Sequence, residues 1–214
     1  MTAERLFAYA YGVLAQPGYV DRFWDELEQP PPRLPITKDP ALFARVADLG
    51  EELLHLHTYG ERFRTPSRAD IPQGEARCTE EVPPSPPPEG HSYDAEARVL
   101  RVGDGEFAPV SPEVYGYSVS GFHVVESWLN RRELKRSGRE SSPLDEIRPE
   151  RWEFTGELLA LLWVLEETVR LQPLGAGFLD EVCASELFTA AELPMPTDTE
   201  REAPGAARQG AMRL

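Results

Sequence analysis

Cysteine is nearly absent from this chain of 214 residues, which has only Cys78 and Cys183. At most one disulfide could form, so a small secreted scaffold held by several bridges is excluded, and two reduced thiols are expected. Long apolar runs are also missing. No stretch approaches the roughly 18 apolar residues of a membrane-spanning helix, and the opening run MTAERLFAYAYGV carries an acid at Glu4 and no small-residue cleavage pattern. The expectation is a cytoplasmic protein without membrane association. Basic residues are outnumbered, with 22 Lys and Arg against 37 Asp and Glu, for a formal charge of −15. Phosphate binding depends on Lys and Arg releasing counterions, so a diffuse nucleic-acid-binding surface is disfavoured and any such role must sit in a local window.

Catalytic signatures are lacking as well. A nucleotide-dependent methyltransferase needs a glycine-rich turn after its first strand and an Asn-Pro-Pro-Tyr-like loop. A helicase or nuclease needs GxxxxGK[ST] or clustered acidic metal ligands. None occurs, and the GDGE and LGAG segments are too short and wrongly flanked to cradle phosphate. His55 and His57 are two apart, on different faces of a helix, and so lack the i, i+4 spacing of a helical metal pair. Ser118, Ser120 and His123 lie close in sequence, but no third group is identifiable to complete a nucleophilic site. The chain is read as having no catalytic activity, metal or cofactor of its own.

What is present points to an α+β fold, helix-rich, with a small antiparallel sheet and with N-terminal helices packed against a long late helix. Leu6, Tyr9, Ala10 and Val13 recur at helical steps, Pro17-Gly18 interrupts, and Val20, Phe23, Trp24 and Leu27 predict a second amphipathic helix antiparallel to the first. The five prolines of QPPPRLPITKDP fix φ and remove donors, which predicts an extended connector. From Pro40, suited to a first helical turn, Leu42, Val46, Leu49, Leu53 and Leu56 form one stripe reaching about Tyr59. Residues 64–90 are polar and proline-rich and predict a mobile loop. Alternation at Tyr93, Ala95, Ala97 and Val99, then Gly103-Asp104-Gly105, predicts a hairpin, with a further strand over Val114 to Val119. Pro149 can open the last helix, striped by Phe154, Leu158, Leu162, Leu165 and Val169, with Trp152 and Trp163 packed beside it. The domain is placed at 1–193, and 194–214 is expected to be a disordered tail.

The most informative stretch is VYGYSVSGFHVVESWLNRR, residues 114–132. Gly121 suits a tight reversal, and Val124, Val125, Trp128 and Leu129 then form an apolar helical face. Next comes RRELKRSGR, with Arg131, Arg132, Lys135, Arg136 and Arg139 against the single acid Glu133. The plainer reading is a packed strand-turn-helix whose cations meet a helix C-terminus.

This stretch, the following SSPLDEIRPERW and the long Leu/Trp helix resemble the C-terminal specificity domain of type ISP restriction-modification enzymes. The opening FAYAYGVLAQPGYVDRFWDEL, then LPITKD and LGEELLHLH, is similar to the start of the same domain. The resemblance implies a DNA target-recognition module that contacts duplex DNA through Arg131, Arg132, Lys135, Arg136 and Arg139. Its implied partner is a methyltransferase or helicase-nuclease part of the same system. The alternative is an acidic helical protein-interaction adaptor without DNA binding, and a third reading is a small enzyme using His123. Basic residues such as Arg62, Arg64 and Arg68 joining the window in one strip would favour DNA; interleaved acids would favour the adaptor. The recognised bases and the oligomeric state are not legible.

Overall fold

The first helix, α1 (Ala3–Leu14), starts where the Thr2 side chain accepts the Arg5 N–H at 3.2 Å. The helix that carries the predicted leucine stripe, α4 (Pro40–His57), starts where Asp39 accepts the N–H groups of Ala41 and Leu42 at 2.8 and 3.2 Å, with Pro40 in the first turn. The computed structural model describes residues 2–27, 33–134, 148–195, 197 and 201. All five predicted stripe residues of α4 are buried. They pack on α1 across two glycines: a Cβ at Gly12 would lie 2.6 Å from the Val46 carbonyl oxygen, and one at Gly50 would overlap the Ala8 carbonyl. No larger residue allows so close a crossing. Tyr9 stacks on Phe43 with centroids 4.4 Å apart, and its hydroxyl donates to the Pro35 carbonyl and accepts from the Thr37 N–H, drawing the connector back onto α1.

The second predicted helix differs from expectation. It is split into α2 (Pro17–Arg22) and α3 (Trp24–Leu27) at Phe23, and the partner of α1 is α4. Tyr19 supplies the burial there, while Val20 is 41% and Trp24 62% exposed. The final helix, α7 (Thr155–Ala184), is longer than its predicted stripe and continues through Pro173. Its first half, with Leu158, Leu162 and Leu165, packs in a core with the sheet. Its last turns, with Leu179 and Val182, pack with Tyr9, Val13 and Val46. No described helix is long and apolar enough to cross a membrane.

The sheet contains β1 (Arg77–Glu80), β2 (His91–Asp94), β3 (Val99–Val102) and β4 (Gly105–Ala108), in the order β1-β4-β3-β2 and antiparallel throughout. Leu100, Val102 and Phe107 are fully buried on its inner face. The predicted turn at Gly103-Asp104 joins β3 to β4. The alternation from Tyr93 to Val99 is interrupted, because Asp94 accepts the N–H groups of Glu96 and Ala97 and Arg98 takes a φ of 58°, making a second hairpin. The 64–90 stretch, expected to be structureless, contains β1, an edge strand that pairs Arg77 with Ala108 and Cys78 with Phe107. Glu166 of α7 accepts the N–H groups of Glu75 and Ala76, and the Trp163 indole donates to the Ala76 carbonyl at 2.9 Å. Both cysteines are free. Only residues 194, 195, 197 and 201 of the expected tail fall among the described residues.

The predicted strand over Val114 to Val119 is instead a short helix followed by a hairpin. Ser111 accepts the Val114 N–H and Pro112 fills the first turn of α5 (Pro112–Tyr115). The chain then forms β5 (Ser118–Val119) and β6 (Phe122–His123), turning at Ser120 and Gly121 with φ of 51° and 81°, as Gly121 suggested. Helix α6 (Val124–Asn130) follows with Val125 and Leu129 fully buried.

A polar chain joins the three long helices. The Thr168 hydroxyl donates to the Val164 carbonyl, which leaves its oxygen to accept from His57 Nε2 at 3.0 Å; His57 Nδ1 then accepts from the Tyr11 hydroxyl at 2.7 Å. Burial lowers the affinity of the His57 imidazole for a proton. The unfolded chain gains that proton near pH 6.5 and the folded one resists it, so stability is complete above that pH and declines as pH falls through it. Urea midpoints should therefore drop from about pH 7 to 5, and His57→Gln should flatten the drop; an unchanged pH dependence in the variant would assign it elsewhere. Gly50→Ala should cost at least roughly 1–3 kcal/mol in the same assay, because backbone rather than a side-chain tip blocks the new methyl group.

Candidate nucleic-acid interface

The basic window begins as α6 ends, on a floor of three aromatic rings. Trp128 is half-buried and meets Trp152 and Phe154 edge-on at 6.4 and 6.3 Å, while Trp152 and Phe154 meet at 5.5 Å. Trp152 is buried, and its indole donates to Thr155 Oγ1 at 2.9 Å, tying this cluster to the first turn of α7.

Arg131 and Arg132 part company on this floor. The Arg132 guanidinium lies 3.8 Å from the Trp128 ring centroid and 5.1 Å from that of Phe154, donates to the Trp128 carbonyl at 3.2 Å, and meets Glu157 at 3.4 Å. Its cation is thus held by aromatic faces and a carboxylate. Arg131 is exposed, and among the described residues it has no ion-pair partner. The only acid of the window, Glu133, turns inward: it is 1% exposed and contacts His91 Nδ1 at 2.8 Å. The Leu134 N–H donates to the Pro88 carbonyl at 3.0 Å, anchoring the backbone at this point. Lys135, Arg136 and Arg139 lie outside the described residues.

The exit of α4 reaches the same region. Burial raises the Tyr59 phenol above the usual tyrosine range, with Arg132 opposing and Glu157 adding to the shift, so Tyr59 stands within the field of that pair. Beyond it, His55 is 1% exposed and contacts the carbonyl oxygens of Arg62 at 3.0 Å through Nδ1 and of Asp70 at 3.3 Å through Nε2. Both histidines of the pair therefore serve packing: His55 holds a loop, and His57 bridges helices. Sequence reasoning missed the role of His55 because both acceptors are backbone atoms, which carry no residue-type signal.

Ser118 and His123 face each other across the β5–β6 hairpin, but they and Ser120 are all exposed. Among the described residues no hydrogen bond joins His123 to either serine hydroxyl, and an open hairpin offers nothing to exclude water from a nucleophile. The same hairpin borders an apolar cleft. Leu14, Pro17, Val20, Trp24, Tyr117 and Val119 line it, with no charged side chain among the lining residues. Val119 is 54% and its cross-strand neighbour Phe122 70% exposed.

A family model described as the type ISP C-terminal specificity domain matches residues 1–164. No curated protein matches the chain. Among solved structures, a nuclease-deletion mutant of the type ISP restriction-modification enzyme LlaGI, in complex with a DNA substrate mimic, matches with a TM-score of 0.54 and 19% identity over 85% of this chain and 14% of that one. The ATP-dependent type ISP enzyme LlaBIII bound to DNA matches with a TM-score of 0.55 and 18% identity over 88% of this chain and 12% of that one. A DrdV–DNA complex matches with a TM-score of 0.56 and 20% identity over 82% of this chain and 18% of that one. The likeness in fold is therefore to a small part of much longer polypeptides.

The contrast between the two arginines is measurable. Arg132→Gln should lower stability by roughly 1 kcal/mol as its stacking on the rings disappears, whereas Arg131→Gln should change it by less than about 0.5 kcal/mol. Trp128→Ala should cost less than the about 3–5 kcal/mol of a fully buried tryptophan. Equal melting temperatures for the two arginine variants would contradict the described stacking.

Proposed function

This chain belongs to the type ISP C-terminal specificity domain family, and we propose that it recognises duplex DNA through the exit of α6 for a restriction-modification system. The observation that carries this reading is the burial of Glu133 beside the exposed Arg131, which has no ion-pair partner among the described residues. The window thereby hides its one acid and leaves Arg131 open to solvent. Arg131, Lys135, Arg136 and Arg139 are assigned to DNA, with phosphate contact setting orientation and any guanine contact in the major groove setting sequence choice. Arg132 supports the platform on which they are mounted, through its place on Trp128 and Phe154. The chemistry of modification and cleavage is assigned to other parts of the system, and the setting is the cytoplasm.

The partner is a methyltransferase or helicase-nuclease component of the same system, consistent with the small share of the solved relatives that this chain spans. The uncharged cleft beside Trp24 and Val119 favours contact with an apolar protein surface and also supports the second reading, an adaptor that does not touch DNA.

Fluorescence anisotropy with a labelled duplex separates the two. Binding should be weak, tightest at low salt, and should lose roughly 0.9 in the slope of log K against log salt for each phosphate no longer neutralised. Changing Arg131, Arg132, Lys135, Arg136 and Arg139 together to glutamine should abolish binding at low salt while leaving the helical circular dichroism intact. Wild-type affinity in that variant, or no DNA affinity in the unaltered chain even with a cognate methyltransferase added, would replace DNA recognition with the adaptor reading.

A further inference from the structure

The loop that leaves α4 is built more rigidly than an idle connector requires. Tyr59 and Phe63 both adopt a φ of 52°, a left-handed conformation that side chains disfavour, and Gly60 between them takes 80°. Hydrogen bonds hold this backbone at several points. Thr58 Oγ1 donates to the Leu54 carbonyl and accepts the Arg62 N–H at 3.1 Å, the Gly60 N–H donates to the His55 carbonyl at 2.8 Å, and Thr65 and Arg68 close a tight turn through reciprocal backbone bonds. The buried His55 ring lies against both ends, 3.0 Å from the Arg62 carbonyl oxygen and 3.3 Å from that of Asp70.

What this loop displays is cationic. Arg62 is exposed and has no ion-pair partner among the described residues. Arg64 meets Asp70 only at 3.4 Å, with the two side chains 58% and 89% exposed, a pairing that water and salt screen heavily. Arg68 has a buried Nη1 without a hydrogen-bond partner. The acids at hand are Asp70 and the exposed Glu61, with Glu52 and Glu167 lining the same pocket as the half-buried Arg68. By contrast, Arg5, Arg22, Lys38, Arg45 and Arg170 are each held by carboxylates of the same chain. In a protein of charge −15, cations left unneutralised are the ones available to a polyanion.

We infer that the Thr58–Asp70 loop is a second DNA-backbone contact, in which Arg62, Arg64 and Arg68 grip phosphates beside those held at the α6 exit. The inference rests on the DNA-recognition reading above and adds to it a surface distant in sequence. Tyr59, at the start of the loop, stands within the electrostatic field of Arg132 and Glu157 at the α6 exit. Spaced phosphate contacts would fix how the duplex lies across the domain, a positional role separate from base reading.

The test uses the full chain and a labelled duplex of arbitrary sequence, with affinity measured over a range of salt. The combined Arg62→Gln, Arg64→Gln and Arg68→Gln variant should bind several-fold more weakly at low salt. Its salt slope should fall by up to roughly 0.9 for each phosphate that the loop no longer neutralises. Asp70→Asn gives the converse: it removes an acid, frees Arg64 and keeps the backbone carbonyl that His55 uses, so it should bind more tightly than wild type, a gain that misfolding cannot produce. If the unaltered chain binds and neither variant differs from it, the loop does not touch DNA and the α6 exit stands alone. If the unaltered chain does not bind, this inference falls together with the recognition reading.

Discussion

Helix α7 has to satisfy two different partners along one continuous length, and the rest of the domain is arranged around that demand. Its first half packs Leu158, Leu162 and Leu165 against the sheet, and its last turns pack Leu179 and Val182 against α1 and α4. Near its centre, Thr168 receives the His57 ring that also holds Tyr11, so α1, α4 and α7 share one buried hydrogen-bond chain. Two residues before it, Glu166 caps the approach to β1 by accepting the N–H groups of Glu75 and Ala76. Apolar burial supplies most of the driving force, and these polar contacts set register, since each buried group left unpaired would cost about 1–3 kcal/mol. The two cores are consequently not independent: a shift of α7 along its axis would unseat both.

The same economy governs charge. An acidic chain could scatter its cations over a repulsive surface, but about half of those described meet neighbouring carboxylates, and Arg132 is also absorbed by tryptophan and phenylalanine rings. Those without such a partner among the described residues then stand out against a negative background. DNA approaching such a surface is repelled everywhere except at the cationic sites, which favours orientation over affinity.

The apolar cleft between α2, α3 and the β5–β6 hairpin has a different surface chemistry. Its lining has no charge to engage phosphate, and Trp24, Val119 and Phe122 present large apolar surfaces to solvent. The VSGF run that marks the family resemblance lies at this hairpin, so that sequence signature coincides with an exposed element and not with the core.

The sequence by itself determined the elements whose causes are local. The stripe from Leu42 to Leu56, the helix start at Pro40, the reversal at Gly121 and the Leu158–Leu165 face depend on neighbours a few residues away, where periodicity and propensity act. It also located the basic window and supported the family reading. Tertiary structure decided whatever depends on a partner remote in sequence. Strand β1 is a short polar edge that forms because β4 lies beside it and Glu166 holds its entry. The split of the second helix follows from burial falling on Tyr19 instead of Val20 and Trp24. Within the candidate interface, Arg131 and Arg132 are adjacent and identical in type, yet Trp128, Phe154 and Glu157 claim one, while the other has no ion-pair partner among the described residues. His91 likewise draws Glu133 inward from 42 residues away. Periodicity reports which face of an element is apolar, but the group that occupies a cation or an acid is set by packing between elements, and no local pattern encodes that.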